Sequence, residues 1–284
     1  YNFLKDYFIP KEIVYIQDQN SLNNILEDIK SEKLLAIDTE FTWRNTYFPE
    51  LNLIQISTEN KIYILDCDYL NILDLEEVFA DKSITKIFHS IRGDLSVLYN
   101  SLGIKVSNIF DTQIAEDLLN TNEGLQISYK NLVKKYILKD ISKSETNSNW
   151  QKRPLTEKQI DYAAEDVRYL HTIMRIQKKR LSKLKKLDFF YSLCRREKNL
   201  GEEYFSKSRL RRFQKRNKNI SEEEVKIFNW REYEAEKLNV PPSHIVEDRD
   251  IKRLKKTLVS KKYDELRWII KKGSSRKAFL ENFI

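Results

Sequence analysis

Three short stretches of this chain place acidic side chains where they could do chemistry. Asp38-Thr39-Glu40-Phe41 closes an apolar run that begins at Leu34. In an extended strand alternate side chains share a face, so Asp38 and Glu40 point one way and Thr39 the other. Neighbouring carboxylates at the end of a core strand repel each other unless something positive lies between them, and a divalent cation with oxygen ligands meets that need. The other reading is a wet strand end with both acids in solvent. His89-Ser90-Ile91-Arg92-Gly93-Asp94 follows a second apolar run and opens a helix, placing Asp94 at a strand's carboxyl end, where α/β sheets build sites. Asp94 is equally explained by the preference of acids for a helix's first turn, and Asp111, ahead of Thr112, by N-capping. The third stretch carries two i,i+4 polar pairs, Tyr162 with Asp166 and Asp161 with Glu165. They flank an apolar stripe of Ile160, Ala163, Ala164, Val167, Leu170 and Met174 on opposite sides. The Tyr162/Asp166 flank continues into Tyr169 and Ile173 and is the one expected against a sheet; the other continues into Arg168 and Arg175. On a lone helix such a pair is ordinary surface chemistry.

The elements that must position these residues alternate between strand and helix, the pattern of an α/β layer architecture. Strands are predicted over 12–17, 34–38, 51–57, 61–65, 84–88 and 105–109, and helices over 21–30, 73–80, 95–102 and 112–119. The runs at 51–57 and 61–65 flank the polar turn Thr58-Glu59-Asn60 and read as a hairpin, so the sheet should be mixed. From Leu125 onward the pattern is helical. Thr156 and Gln159 form a capping box after Pro154, and the helix that starts there is expected to run past Met174 into a basic segment. Another compositional shift falls near Ile220, with Pro241-Pro242 and Gly273 as later breaks.

The 284 residues are 40% hydrophobic and 33% charged, with only five Gly and five Pro; this excludes collagen-like and low-complexity chains. No apolar run approaches the roughly 18 residues of a membrane helix. Cys67 and Cys194 lie far apart, which fits a reducing, cytoplasmic setting. The chain opens at Tyr1 rather than Met, so the lack of a visible leader carries no conclusion. Charge is divided sharply. Residues 1–170 hold 19 Lys+Arg against 27 Asp+Glu, residues 171–284 hold 32 against 16, and 171–219 alone holds 17 against 4. Such a basic segment suits a polyanion, nucleic acid first, and an acidic half that acts on a polyanion needs metal ions. The plain alternative is a solvated charged linker.

In order, a D-x-E strand, a second Asp opening a helix after His89, and Y-x-x-x-D on a later helix resemble the DEDD superfamily of 3′-5′ exonucleases, in its Tyr subclass. The likeness is strongest to the ribonuclease D family: "LLAIDTEFTWRNTYFPELNLIQIS", "KIFHSIRGDLSVL" and "RPLTEKQIDYAAEDVRYL" are similar to its three motifs, supported by "FDTQIAEDLL" and "NWQKRPL". It covers roughly residues 12–180, and three ordered motifs are far more specific than one. "WREYEAEKLNVPPSHIVEDRDIKRL" is similar to the HRDC domain, a small helical nucleic-acid-binding module. The family's better-known architecture carries two such modules, and residues 220–284 have room for one. The resemblance implies a ribonuclease H-like mixed sheet flanked by helices over 1–180, a basic helical connector over 181–219, and a small all-α HRDC-like domain over 220–284.

It further implies a 3′-5′ exoribonuclease that releases nucleoside 5′-monophosphates. Asp38, Glu40, Asp94 and Asp166 would bind two Mg²⁺ or Mn²⁺ ions roughly 4 Å apart, with Asp38 bridging. Tyr162 would hold the attacking water, since a phenol titrating near 10 is a poor base at neutrality. Phe41, Trp150 and Arg153, with Lys152 beside them, are the candidate RNA contacts; a core role fits Phe41 at least as well, and His89 reads as a satisfied core histidine rather than a support to the metal ligands. The implied partners are single-stranded RNA 3′ ends, tRNA precursors among them, with no membrane and a monomeric chain. The competing readings are a DNA exonuclease of the same superfamily, a non-catalytic RNA-binding relative, and a helicase fragment. Against the last, the chain has no G-x-x-x-x-G-K-[ST] loop.

Overall fold

The computed structural model describes residues 11–120, 126–141, 145 and 148–284. They divide into two compact units: residues up to Thr42 with Leu51–Glu202, and Trp43–Glu50 with Glu203–Ile284. The first unit is built on a mixed six-stranded sheet of β1 (Glu12–Ile16), β2 (Leu34–Thr42), β3 (Glu50–Ser57), β4 (Lys61–Asp66), β5 (Thr85–Phe88) and β6 (Ile109–Asp111), in the order β1-β4-β3-β2-β5-β6. The predicted hairpin is present, with β3 and β4 antiparallel and Gln55 opposite Ile64. The crossovers are parallel, β1 with β4, β2 with β5 and β5 with β6.

Alternation along β2 sorts its side chains between two layers. Leu35 and Ile37 enter a core with α1 (Gln19–Ser31), α2 (Glu76–Ala80) and α3 (Arg92–Leu102), through Leu22, Ile29, Phe79, Leu95 and Leu98. Ala36 enters the opposite core, with Ala115 of α4 (Thr112–Leu119), Ala163, Ala164 and Val167 of α6 (Glu157–Arg168), Met174 of α7 (Leu170–Lys183) and Phe190 of α8 (Leu187–Gly201). A satellite core joins α5 (Tyr129–Ile137) to Tyr169 and Ile173. The expected helical region from Leu125 begins on a residue outside those described.

Three differences from the sequence reading bear on the site and its frame. β2 runs four residues further, so Asp38 and Glu40 lie within the strand rather than at its end. The last strand is Ile109–Asp111, not 105–109. Asn108 takes a left-handed φ of 52°, and the amides of Val106 and Ser107 bond Glu202 Oε1 and the Phe79 carbonyl instead of a strand. The helix begun by the Thr156/Gln159 capping box does not run on past Met174 unbroken; it stops at Arg168. There the Tyr129 hydroxyl enters the helical ladder, donating to the Glu165 carbonyl at 2.9 Å and accepting from the Tyr169 amide at 3.4 Å. A side chain inserted between these i,i+4 partners breaks the helix, and α7 restarts at Leu170.

The predicted connector 181–219 is not a separate body. Leu181, Phe190 and Cys194 are buried in the first unit's core. α8 closes on α3 at Gly201, where a Cβ would stand 2.8 Å from that of Leu95, so only glycine fits. Two of the segment's bases are partnered within the first unit, Lys186 donating to the Leu118 carbonyl and Lys198 pairing with Glu202, and Arg180 just before it donates to the Tyr136 hydroxyl.

The second unit is helical: α9 (Phe205–Arg216), α10 (Glu222–Lys237), α11 (Ile251–Ser260), α12 (Leu266–Ile269) and α13 (Gly273–Phe283). Its core gathers Phe205, Phe213, Phe228, Trp230 and Phe279 around Tyr47 of the segment Trp43–Glu50. Arg209 lies 4.4 Å from the Tyr47 ring centre and pairs with buried Glu232, which also accepts from the Tyr47 hydroxyl and Arg231. Arg231 reaches Asp248 at 2.6 Å. Among the described residues no helix is long and apolar enough to cross a membrane.

Candidate active site

β2 and α6 carry the centre of the site. Asp38 and Glu40 project from β2 into the layer that holds α6, and Asp166 meets them there; one carboxylate oxygen from each lies within 4.8 Å of the others. Asp94 comes from the opposite layer. It is the third residue of α3, 7% exposed, and its Oδ1 accepts the Thr39 hydroxyl at 2.7 Å. Thr39 does point away from Asp38 and Glu40, as strand alternation requires, and what it finds on that side is Asp94.

The electrostatics are those of crowded like charges. Burial, and then the charges of Asp94, Asp166 and Glu40, push Asp38 well above the usual carboxylate range. Glu40 is pushed up to about 9 by burial and by Asp166 and Asp94. Burial also raises Asp94, against the Thr39 hydrogen bond, which favours its charged form. Among the described residues no Lys or Arg forms an ion pair with Asp38, Glu40 or Asp94. Half-buried Asp38 and Glu40 and buried Asp94, an all-oxygen donor set with no basic partner, fit a hard divalent cation.

The frame behind the acids is built from Asp111, His89 and Tyr129, of which the sequence singled out the first two. Asp111 caps α4 through the Gln113 and Ile114 amides, as N-capping predicts, and it also accepts the Ser90 and Ile91 amides at 3.1 and 3.0 Å. Ser90 has φ 67°, so one carboxylate ties down the left-handed turn that launches α3 and Asp94. His89 is a satisfied interior histidine. Nε2 faces the Ile127 carbonyl at 3.1 Å and Nδ1 faces Thr112 Oγ1 at 3.0 Å, and burial lowers its pKa to about 4. Its ring lies 5.6 Å from that of Tyr129, the residue that breaks the helix after Arg168. Neither Tyr129 nor the second pair of Asp111 bonds follows from local pattern.

The remaining candidates divide. Tyr162 is partly buried one turn before Asp166, its ring centre 6.1 Å from that of Trp150. Phe41 is half-buried, with Cζ 3.9 Å from where a Gly93 Cβ would stand, so its ring lies at the start of α3. Trp150 and Arg153 are not disposed as free RNA contacts. Trp150 is 4% exposed in the core. Arg153 grips buried Asp66 with two hydrogen bonds of 2.6 Å, and Tyr15 completes that carboxylate's partners. The pattern "NWQKRPL" is thus built into the wall beside Tyr162, with Lys152 exposed at its edge.

An acidic strand-and-helix site on a mixed sheet of this order defines a metal-type nuclease fold, and the comparisons with known proteins agree. The family model for 3′-5′ exonucleases matches residues 13–182. A ribonuclease D from Desulfotalea psychrophila is 32% identical over 245 residues, 82% of this chain and 64% of that protein. The chain spans 61–64% of the length of the first three curated relatives. Among solved structures, Escherichia coli RNase D superposes with a TM-score of 0.75 at 24% identity, covering 86% of this chain and 65% of that one, a likeness of fold. Brucella melitensis NrnC with bound Mg²⁺ superposes with a TM-score of 0.58 at 27% identity, over 67% of this chain and 92% of that one. The chain belongs to the 3′-5′ exonuclease family, in its ribonuclease D branch.

Proposed function

We propose that this chain hydrolyses single-stranded RNA from its 3′ end and releases nucleoside 5′-monophosphates, with tRNA precursors among its substrates. The observation that carries the reading is the convergence of Asp38, Glu40 and Asp166 within 4.8 Å, with Asp94 held against the same strand by Thr39. Two divalent ions bound there, Mg²⁺ or Mn²⁺, would supply activation of the attacking water and stabilisation of the leaving 3′-oxygen. Asp38, Glu40, Asp94 and Asp166 would hold these ions, with Asp94 and Asp166 reaching the strand from its two layers. Tyr162, one helical turn from Asp166, orients the water rather than removing its proton. Phe41, over the start of α3, offers a ring to the terminal base. Trp150 and Arg153 act through the wall they build and not by touching RNA.

The second unit is an HRDC-like module that adds sequence-tolerant grip. Its signature residues Arg231, Glu232, Asn239 and Asp248 are tied to one another and to the Trp43–Glu50 segment. The free thiols Cys67 and Cys194 fit a reducing, cytoplasmic setting, and the enzyme is taken to act as a monomer. Incubating matched 5′-labelled RNA and DNA strands with the protein in Mg²⁺ tests the substrate class. Faster shortening of RNA is expected. DNA cut as fast or faster moves the assignment to a DNA exonuclease, and binding without cleavage moves it to an RNA-binding relative.

A further inference from the structure

Within the second unit, α9 and α10 border a cavity of about 540 Å³ that the exonuclease chemistry does not use. Arg209, Arg212, Phe213 and Arg216 share one face of α9 at i, i+3, i+4 and i+7 and line it, and Arg231 and Ser243 lie opposite. Its floor is apolar: Phe213 and Phe228 are buried with ring centres 5.0 Å apart, and the Arg231 guanidinium stacks 4.4 Å from the Phe228 ring centre. The charges lining it are not equally committed. Arg209 pairs with Glu232 at 3.0 Å and Arg231 with Asp248 at 2.6 Å, while Glu247 pairs with Arg249 at 2.8 Å and Lys271 at 3.8 Å. Arg212 and Arg216 are exposed and make no ion pair or hydrogen bond among the described residues. Two uncommitted guanidinium forks therefore face a cavity with a low-dielectric floor, where attraction for an anion is stronger than in open water.

We propose that this cavity seats a phosphodiester of a bound single-stranded RNA, clamped by Arg212 and Arg216. The inference rests on the RNA reading above and names where the second unit grips the strand. Guanidinium forks match phosphate oxygens bidentately. The i,i+4 spacing sets the two Cβ atoms about 6 Å apart, so both forks reach the same stretch of backbone. A cavity of this size admits the flanking riboses as well, which favours a strand over a lone phosphate ion.

The test is equilibrium binding of labelled single-stranded RNA in chelator, where no cleavage intervenes, measured by fluorescence anisotropy across a salt series. R212A/R216A should weaken binding about tenfold at low salt and flatten the slope of log K against log salt by about 0.7 to 1.4, the value for one to two phosphates on a single strand. K252A/K256A removes the same charge at the same spacing from α11 and should cost less than about threefold. R212K/R216K keeps the point charges, so it should keep the slope and lose affinity through the missing forks; it carries the test if the alanine pair fails to fold. Equal losses from the arginine and lysine pairs, or no loss from the arginine pair, overturn the seat. A nucleoside 5′-monophosphate or inorganic phosphate that binds the wild type as tightly as the strand, with the same arginine dependence, overturns the strand assignment. Arginine-dependent binding without any shortening in Mg²⁺ leaves the seat and removes the exonuclease reading. Shortening with no arginine dependence of binding does the reverse.

Discussion

Replacing Thr39 by Val removes one hydroxyl from between the two halves of the acidic site and little else. The Thr39 hydroxyl donates to Asp94 Oδ1 at 2.7 Å, and both residues are 7% exposed, so water cannot readily take the donor's place. Val is close in volume and suits a β-strand, and the same face of β2 carries apolar Leu35 and Ile37. The loss is thus the orientation of Asp94. A hydrogen bond to a charged acceptor contributes about 1.5 to 3 kcal/mol net, which at about 1.4 kcal/mol per decade is a factor of roughly 10 to 100. That range also describes what is lost when groups supporting metal ligands are removed. In an exonuclease assay titrated with Mg²⁺, Thr39→Val should shift the metal requirement upward by about 10- to 100-fold. The rate at saturating metal should fall less than that shift, and Thr39→Ser should restore the wild-type curve. An unshifted metal curve for Thr39→Val would refute the reasoning, because Asp94 would then either not bind metal or not need Thr39 to do so.

Asp166→Asn relieves the repulsion on Asp38 and Glu40, so in chelator it should melt about 2 to 4 °C above wild type, as for about 1 kcal/mol in a chain of this size; Mg²⁺ should raise the wild-type melting temperature and leave the variant's nearly unchanged. Tyr162→Phe should cost on the order of 10² in rate and leave Mg²⁺ binding by calorimetry intact. Arg209→Ala strips a partner from Glu232, which is 2% exposed. It should destabilise the second unit by about 2 to 4 kcal/mol in urea unfolding followed by Trp fluorescence. His171 is buried, its Nε2 facing the Leu34 carbonyl and Nδ1 facing Lys11, and burial lowers its pKa from 6.5 to about 3. The unfolded chain takes up this proton first as pH falls. The contribution of His171 to stability should therefore be lost from about pH 6.5 downward at up to about 1.4 kcal/mol per unit, read as the difference in acid slope between wild type and His171→Gln, in which the other titrating groups cancel.

What could be read from the sequence was whatever depends on neighbours in the chain. The hairpin at 51–65, the Thr156/Gln159 capping box and the stripe from Ile160 to Met174 are local patterns, and each stands as read. Asp38, Glu40 and Asp166 come together, and Asp94 meets Thr39 of the same strand, because each sits at a fixed offset within a strand or helix that carries it there. The failures all involve partners distant in sequence. Tyr129 breaks a helix 36 residues away. Arg153 is bound to Asp66, 87 residues earlier, and a motif that resembled an RNA contact is a wall. The segment Trp43–Glu50, read as part of the exonuclease half, supplies Tyr47 to the second unit's core, paired to Glu232 across 185 residues. No periodicity reports such contacts, and the basic stretch 171–219 misled because its charge count cannot tell a partnered base such as Arg180 from an uncommitted one such as Arg212.

The most direct test of the acidic site as a metal-dependent 3′-5′ nuclease uses one RNA labelled at its 5′ end, with its 3′ hydroxyl either free or blocked. It is incubated with wild type and with Asp38→Asn in Mg²⁺ and in chelator. The account predicts a ladder shortening from the 3′ end, with nucleoside 5′-monophosphates released, only for the free end, only with wild type and only in Mg²⁺. Cleavage that persists in chelator or in Asp38→Asn, or that begins within the blocked strand, would contradict it.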